Sequence, residues 1–147
     1  MDPNVRIERC THAGEDLAEA WSLLMPQLNP NHRPPSQSEL AQILAGGATD
    51  LFAARELTTG SIVGALALVV FTTPTATHAW IEDVVVDRAR RGRGIGEALT
   101  RAALERARER GARCVDLTSR PAREEANRLY QRLGFKLRST NLYRFEL

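Results

Sequence analysis

Hydrophobic positions in this chain of 147 residues recur at two periods, one suited to strands and one to helices. Val5 to Cys10 alternates apolar and charged residues, which predicts a first strand. Leu17, Ala20, Trp21, Leu24 and Leu28 fall at helical spacing between Asp16 and Leu28. An amphipathic helix is expected there, stopped in the region of Pro26 to Pro30. Asn29-Pro-Asn-His-Arg-Pro-Pro-Ser36 is rich in turn formers and reads as a loop. Ser36 or Ser38 suits the cap of a second helix through about Leu44, ended by Gly46-Gly47. Asp50 to Glu56 and Ser61 to Phe71 read as strands joined by the turn Thr58-Thr-Gly60. The second of these is apolar on both parities, so both of its faces should be covered.

The next stretch organises the rest. Trp80 to Val86 carries Ile81, Val84, Val85 and Val86, β-branched residues that favour a buried strand. Asp87 to Arg90 follows as a turn, then Arg91-Gly-Arg-Gly-Ile-Gly96, then a helix to Arg110. Gly111 stops that helix, Cys114 to Thr118 reads as a short strand, and Pro121 opens a loop. Arg123 to Leu133 places Ala126, Leu129, Tyr130 and Leu133 on one helical face, with Gly134 as its cap. Phe135 to Arg138 and Leu142 to Leu147 look like a closing pair of strands. The order β-α-α-β-β-β-α-β-α-β-β predicts an α+β (α/β) fold, a single domain spanning 1–147. Its sheet should be mixed and mostly antiparallel, with helices on both faces.

Composition narrows the classes. At 43% apolar and 26% charged residues, this is an ordinary globular composition. The longest apolar run, Ile62 to Phe71, is too short for a bilayer, and Met1-Asp-Pro-Asn4 lacks a signal pattern. A cytoplasmic protein without a membrane partner is expected. Cys10 and Cys114 are far apart and have no CxxC partner, so both are read as buried free thiols. His12, His32 and His78 show no ligand spacing, and no metal is expected. Arg88, Arg90, Arg91 and Arg93 form a basic run, but Trp80 is the one aromatic near it. Nucleic acid is therefore not the expected partner.

Three glycines at every second position let backbone approach a ligand closely, and the helix after them points unpaired amides at one spot. That is an anion site, most often for phosphate. A dinucleotide fingerprint needs G-x-G-x-x-G after the first strand, and a P-loop needs a Gly-Lys pair; neither is present. What remains is Arg91-x-x-Gly94-x-Gly96 after an apolar strand.

This pattern resembles the Q/R-x-x-G-x-G/A motif of the GNAT superfamily of acyl-CoA-dependent N-acetyltransferases. A second block, Asn127, Tyr130 and Gly134-Phe135, resembles that family's helix with Asn, then Tyr, then Gly-Phe. The element order matches as well, so the resemblance covers essentially the whole chain. It implies acetyl-CoA as co-substrate and direct acetyl transfer to a primary amine in a ternary complex. Arg91, Gly92, Arg93, Gly94, Ile95 and Gly96 would hold the CoA pyrophosphate. Val84, Val85 and Val86 would lie against the pantetheine arm, one of their amides polarising the acetyl carbonyl. Asn127 would hydrogen-bond the pantetheine, and Tyr130 would protonate the departing sulfur.

Glu82 and Asp83 are neighbours on a strand, so alternation sends them to opposite faces. The resemblance assigns the acceptor side to Glu82, as general base, and leaves Asp83 a buried acid that needs a partner. Trp80 joins Glu82 as an acceptor-side residue; His78, the Pro-rich loop and the C-terminal strands are further candidates to line the pocket. Tyr143 is expected in the core. A small-molecule amine is the expected acceptor, with a protein N-terminus or lysine as the alternative. A CoA-binding sensor without turnover is the rival class. An exposed edge at Leu142 to Leu147 suits homodimerisation.

Overall fold

The computed structural model describes all 147 residues. They divide into two compact units, Met1–Leu117 and Thr118–Leu147. The first contains β1 (Val5–Arg9), α1 (Glu15–Leu28), α2 (Gln37–Ala45), β2 (Thr49–Glu56), β3 (Ile62–Thr72), β4 (Thr77–Val86), α3 (Ile95–Glu109) and β5 (Val115–Asp116). A short 3-10 turn, Arg88–Arg90, lies between β4 and α3. The strands form one sheet in the order β1-β2-β3-β4-β5. Neighbours are antiparallel up to β4, and β5 runs parallel to β4. No helix is long and apolar enough to cross a membrane.

Local chemistry explains the helices on one face. Ser36 caps α2: its hydroxyl accepts the Glu39 amide at 3.1 Å, and the Glu39 carboxylate accepts the Ser36 amide at 3.1 Å. Leu17, Ala20, Trp21 and Leu24 of α1, with Leu40 of α2, pack on Leu51, Ala65, Ala67 and Val85 of the sheet. The opposite face takes α3 through Ile95, Leu99 and Ala103, all buried. Gly64 permits this approach, because a Cβ there would stand 3.3 Å from both Ile95 and Leu99. As its apolar sequence on both parities implies, the middle of β3 is buried on both faces. A fully buried leucine such as Leu99 contributes about 1.5–3 kcal/mol.

The second unit holds one helix, α4 (Glu124–Arg132), closed by Gly134 in the left-handed region at φ 99°. The expected closing strands at Phe135–Arg138 and Leu142–Leu147 are not formed. Their alternation is a local signal, whereas a strand exists only where a neighbour accepts its backbone groups, and this unit contains no other strand. Leu137, Leu142, Tyr143, Phe145 and Leu147 are consequently exposed. Tyr143, expected in the core, is 86% exposed. Cys114, expected to be buried, is also exposed, directly before the two-residue β5; Cys10 is half-buried, and both are free thiols. Burial pushes the Cys10 thiol up to about 11, so it stays protonated at neutral pH.

One ion cluster ties β2 to α3. Asp50 is nearly buried and receives Arg106 at 2.9 Å and Arg110 at 3.1 Å, with Arg9 at 3.6 Å. Burial alone would raise its pKa, but the Arg106 and Arg110 guanidiniums outweigh it and hold the carboxyl below the usual range. A carboxyl depressed in the folded state adds stability above its unfolded pKa, and that stability is lost as pH falls through the folded value. Asp50→Asn should therefore lower stability by about 1–3 kcal/mol at neutral pH. Urea unfolding should show that loss shrinking below about pH 4; a loss equal at pH 7 and pH 3 would contradict the ion-pair origin.

Candidate functional site

The site begins with a fault in the pairing of β3 with β4. Ala67 faces Glu82 and Ala65 faces Val85, so Leu66 alone opposes Asp83 and Val84. This is a β-bulge, and Asp83 adopts φ 54°, in the left-handed region that non-glycine residues seldom occupy. The expected alternation across Glu82 and Asp83 therefore fails. Both side chains line one cleft, and Asp83 is exposed where a buried acid was expected. Beyond the bulge, Val85 takes the face that Val84 would have held and joins the α1 side of the core. Trp80 and Glu82 share that face before the bulge through their partners Val69 and Ala67.

The cleft has a volume of about 510 Å³ and lies between the sheet and the α1–α2 side. Its floor is Leu51, Ala67 and Val69, and its helix walls are Trp21, Met25, Leu40 and Ile43. His32, Arg33 and Pro35 of the Pro-rich loop form its mouth with Glu39. Neither the Glu82 nor the Asp83 carboxylate makes a hydrogen bond or ion pair with another residue, although the chain has many arginines. Trp80 and His78 are not among the lining residues; His78 instead stacks on Phe71 at 5.4 Å between ring centroids. Trp21 is only 4% exposed, and its indole N–H has no hydrogen-bond partner.

From the cleft, β4 continues through Val86 toward the glycine loop. β5 pairs only with Ala79 and Trp80, so β4 has an open outer edge in the sheet from Ile81 to Val86. The turn after β4 is clamped to α1 by Gln27, whose amide donates to Asp87 at 3.2 Å and whose carbonyl accepts the Arg88 amide at 2.8 Å. Gly92 and Gly94 both have φ 78°, and a Cβ on Gly92 would meet nothing within 4 Å. Gly94 is the N-cap residue of α3, and no side chain caps the helix. The first-turn amides of a fifteen-residue helix thus face an open loop, a setting that favours an anion.

The arginines around the loop are not equivalent. Arg90 is held by Asp87 at 2.6 Å and by Glu56 at 3.3 Å, and Arg93 lies 3.6 Å from Asp2. Arg91 donates only its Nε, to the Val86 carbonyl at 3.2 Å, which leaves its terminal nitrogens free for an anion. The backbone of Met1 lies beside Gly94, and the Asp2 amide donates to the Arg93 carbonyl at 3.1 Å.

Asn127 and Tyr130 lie on α4 of the second unit. The Asn127 side-chain amide donates to the Arg120 carbonyl at 3.0 Å, which fixes its rotamer. Tyr130 meets Phe135 edge to face at 5.7 Å, and the Phe135 amide closes on the Tyr130 carbonyl at 3.0 Å. Burial raises the Tyr130 phenol above its ordinary pKa, so it remains a proton donor at neutral pH. No group of three or more His, Cys, Asp or Glu side chains is clustered as a metal would require.

Trp21, Met25 and Gln27 were not expected at the site. Trp21 and Met25 carry only the apolar character of a packing helix, which does not say where the packing stops and a cleft opens; the polar Gln27 carries no such signal, because its role depends on meeting Asp87 and Arg88 across the fold.

The profile of the acetyltransferase (GNAT) family matches residues 17–135 of this chain. Glucosamine 6-phosphate N-acetyltransferase 1 of Oryza sativa subsp. japonica is 34% identical over 129 residues, which cover 82% of this chain and 75% of the relative. Glucosamine 6-phosphate N-acetyltransferase of Trypanosoma brucei brucei is 38% identical over 111 residues, covering 70% of this chain and 72% of the relative. Among solved structures, a Trypanosoma brucei acetyltransferase superposes with a TM-score of 0.78 at 29% identity, covering 97% of this chain and 99% of that one.

Proposed function

The chain belongs to the acetyltransferase (GNAT) family, and on that footing we propose that it moves acetyl from acetyl-CoA to the primary amine of a small molecule. The transfer is direct, in a ternary complex, with Glu82 as the general base. The observation that carries this reading is the pair Glu82 and Asp83, both on one cleft and both without a protein counter-ion. Two such carboxylates favour a cationic ligand, and a protonated amine is one. The strand that bears them runs straight into the anion-suited loop. The glucosamine-phosphate relatives favour a small amine over a protein acceptor. The family profile spans residues of both units, which supports one acetyltransferase domain.

The residues present fit acetyl-CoA. Gly92 leaves open space for backbone approach, and the N-terminus of α3, with no side-chain cap at Gly94, suits a pyrophosphate. We assign Arg91 to Gly96 to that role, with the free guanidinium nitrogens of Arg91 as the charged contact. The open edge of β4 at Val84, Val85 and Val86 suits an extended pantetheine arm, as an added strand would. When bound, acetyl-CoA supplies an activated carbonyl and a thiolate leaving group.

The chain's own groups then serve the reaction in turn. Glu82 accepts the proton of the ammonium, directly or through a water, and frees the lone pair that attacks the carbonyl carbon. An amide among Val84 to Val86 would donate to the acetyl carbonyl oxygen as negative charge builds on it. The Tyr130 phenol would supply a proton to the departing sulfur and could regain one from the new amide nitrogen. Asn127 is assigned to the pantetheine. Trp80 retains a place on the acceptor side, on the same sheet face as Glu82. Dependence on acetyl-CoA favours a cytoplasmic setting.

The exposed Leu137, Leu142, Tyr143, Phe145 and Leu147 support a homodimer, since this much apolar surface on one terminal segment favours a second copy. Light scattering on the full chain should return twice the chain mass; a monomer at working concentration would remove the dimer.

Glu82→Gln is expected to lower kcat by about 100-fold or more, with acetyl-CoA binding retained. It should also erase the limb of the pH–rate profile in which kcat/KM rises as the base loses its proton. Thiol release followed across pH checks both, and a limb left intact assigns the proton to Asp83 or to water.

A further inference from the structure

The segment ahead of β1 reaches the glycine loop and rests on it. Its base is fixed at Asn4. The Asn4 carbonyl accepts the Leu57 amide at 2.7 Å, its side-chain carbonyl accepts the Thr58 amide at 3.2 Å, and its side-chain amide donates to the Thr58 hydroxyl at 3.0 Å. Its tip, Met1 and Asp2, lies on the loop. The Asp2 amide donates to the Arg93 carbonyl at 3.1 Å, and a Cβ on Gly94 would stand 3.5 Å from the Met1 Cα. Gly92 has no such neighbour. The two carboxylate oxygens of Asp2 have separate tasks. Oδ1 accepts the Asn4 amide at 2.9 Å and closes a turn over Pro3, while Oδ2 faces Nη1 of Arg93 at 3.6 Å. Glu56, the other acid that feels the charge of Arg93, is taken by Arg90 and by the Thr59 hydroxyl. Asp2 is thus the acid that occupies Arg93.

We propose that Met1 and Asp2 form a strap that acetyl-CoA displaces: Asp2 stands in for a phosphate at Arg93, and the bound cofactor releases the strap and takes that arginine over. The inference rests on the reading of Arg91 to Gly96 as the pyrophosphate loop. The contact is of a kind that yields. An ion pair at 3.6 Å whose arginine is 47% exposed is weak, and one backbone hydrogen bond holds the tip where three hold Asn4. A pyrophosphate brings more negative charge to the same guanidinium than one carboxylate does. The strap therefore lowers the affinity for acetyl-CoA in two ways, by occupying Arg93 and by the repulsion of its own carboxylate. Release turns about Asn4, so β1 keeps its place in the sheet.

Asp2→Asn tests this, because an amide oxygen still accepts the Asn4 amide while the charge is gone. Calorimetry with CoA at low salt should give a Kd about three- to tenfold lower for Asp2→Asn than for the unsubstituted protein, and the gap should narrow at high salt. In an Arg93→Gln background the same substitution should change Kd by much less, since the shared partner is missing. Hydrogen exchange on the full chain should show the Asp2 amide exchanging faster with CoA bound, while the Leu57 amide stays protected. A Kd for Asp2→Asn equal to or above that of the unsubstituted protein, an equal change in both backgrounds, or slower exchange at Asp2 with CoA bound overturns the inference and leaves the loop assignment standing. No binding of CoA by the unsubstituted protein overturns the loop assignment, and the inference with it.

Discussion

Between Ala65 and Ala67 the third and fourth strands fall out of step by one residue, and the geometry of the site follows from that fault. An added residue in a strand flips every side chain beyond it to the other face. Here the slip is absorbed at Asp83, whose left-handed backbone turns its carboxylate into the cleft that Glu82 already lines. Val85 then restores the apolar face against α1. The strand thus changes from an acid-bearing cleft wall to a core strand within three residues. The strain at Asp83, of order 1 kcal/mol, is held by the pairing on both sides of it.

The second consequence concerns the outer edge of β4. β5 is only two residues long, so the sheet stops pairing at Trp80 and the rest of β4 is left open. The turn that follows is fixed by Gln27 and by the Arg90–Asp87 and Arg90–Glu56 pairs. With those arginines spent on structure, the backbone of the glycine loop and the free end of Arg91 remain for an anion. A carboxylate-lined cleft and an anion-suited loop sit at opposite ends of one short backbone segment, which is the arrangement that joining an amine to an acetyl phosphopantetheine thioester requires.

Much of this was legible in the sequence. The period of Leu17, Ala20, Trp21 and Leu24 located α1, Ser36 was one of two candidates for the cap of α2, and the spacing of Arg91, Gly94 and Gly96 located the loop. These are local signals. The bulge was not legible, because it depends on how Leu66 meets two residues of another strand, and nothing in Trp80 to Val86 alone marks the extra one. Alternation therefore put Glu82 and Asp83 on opposite faces. The closing strands failed for a related reason: Phe135 to Leu147 has a strand-like pattern, but its backbone has no strand to pair with in its own unit. The cleft walls at Trp21 and Met25 were hidden because a helical stripe looks the same whether it meets a full core or the rim of a cavity.

The central claim is that one segment, from Glu82 through the bulge to Gly96, holds both reactants. Backbone amide spectra of isotope-labelled protein titrated first with CoA and then with an amine test it directly. CoA should move the amides of Val84, Val85, Val86 and Gly92 to Gly96 most, and the amine should then move those of Glu82 and Asp83. Saturable CoA binding that leaves Val84 to Gly96 unshifted would contradict it.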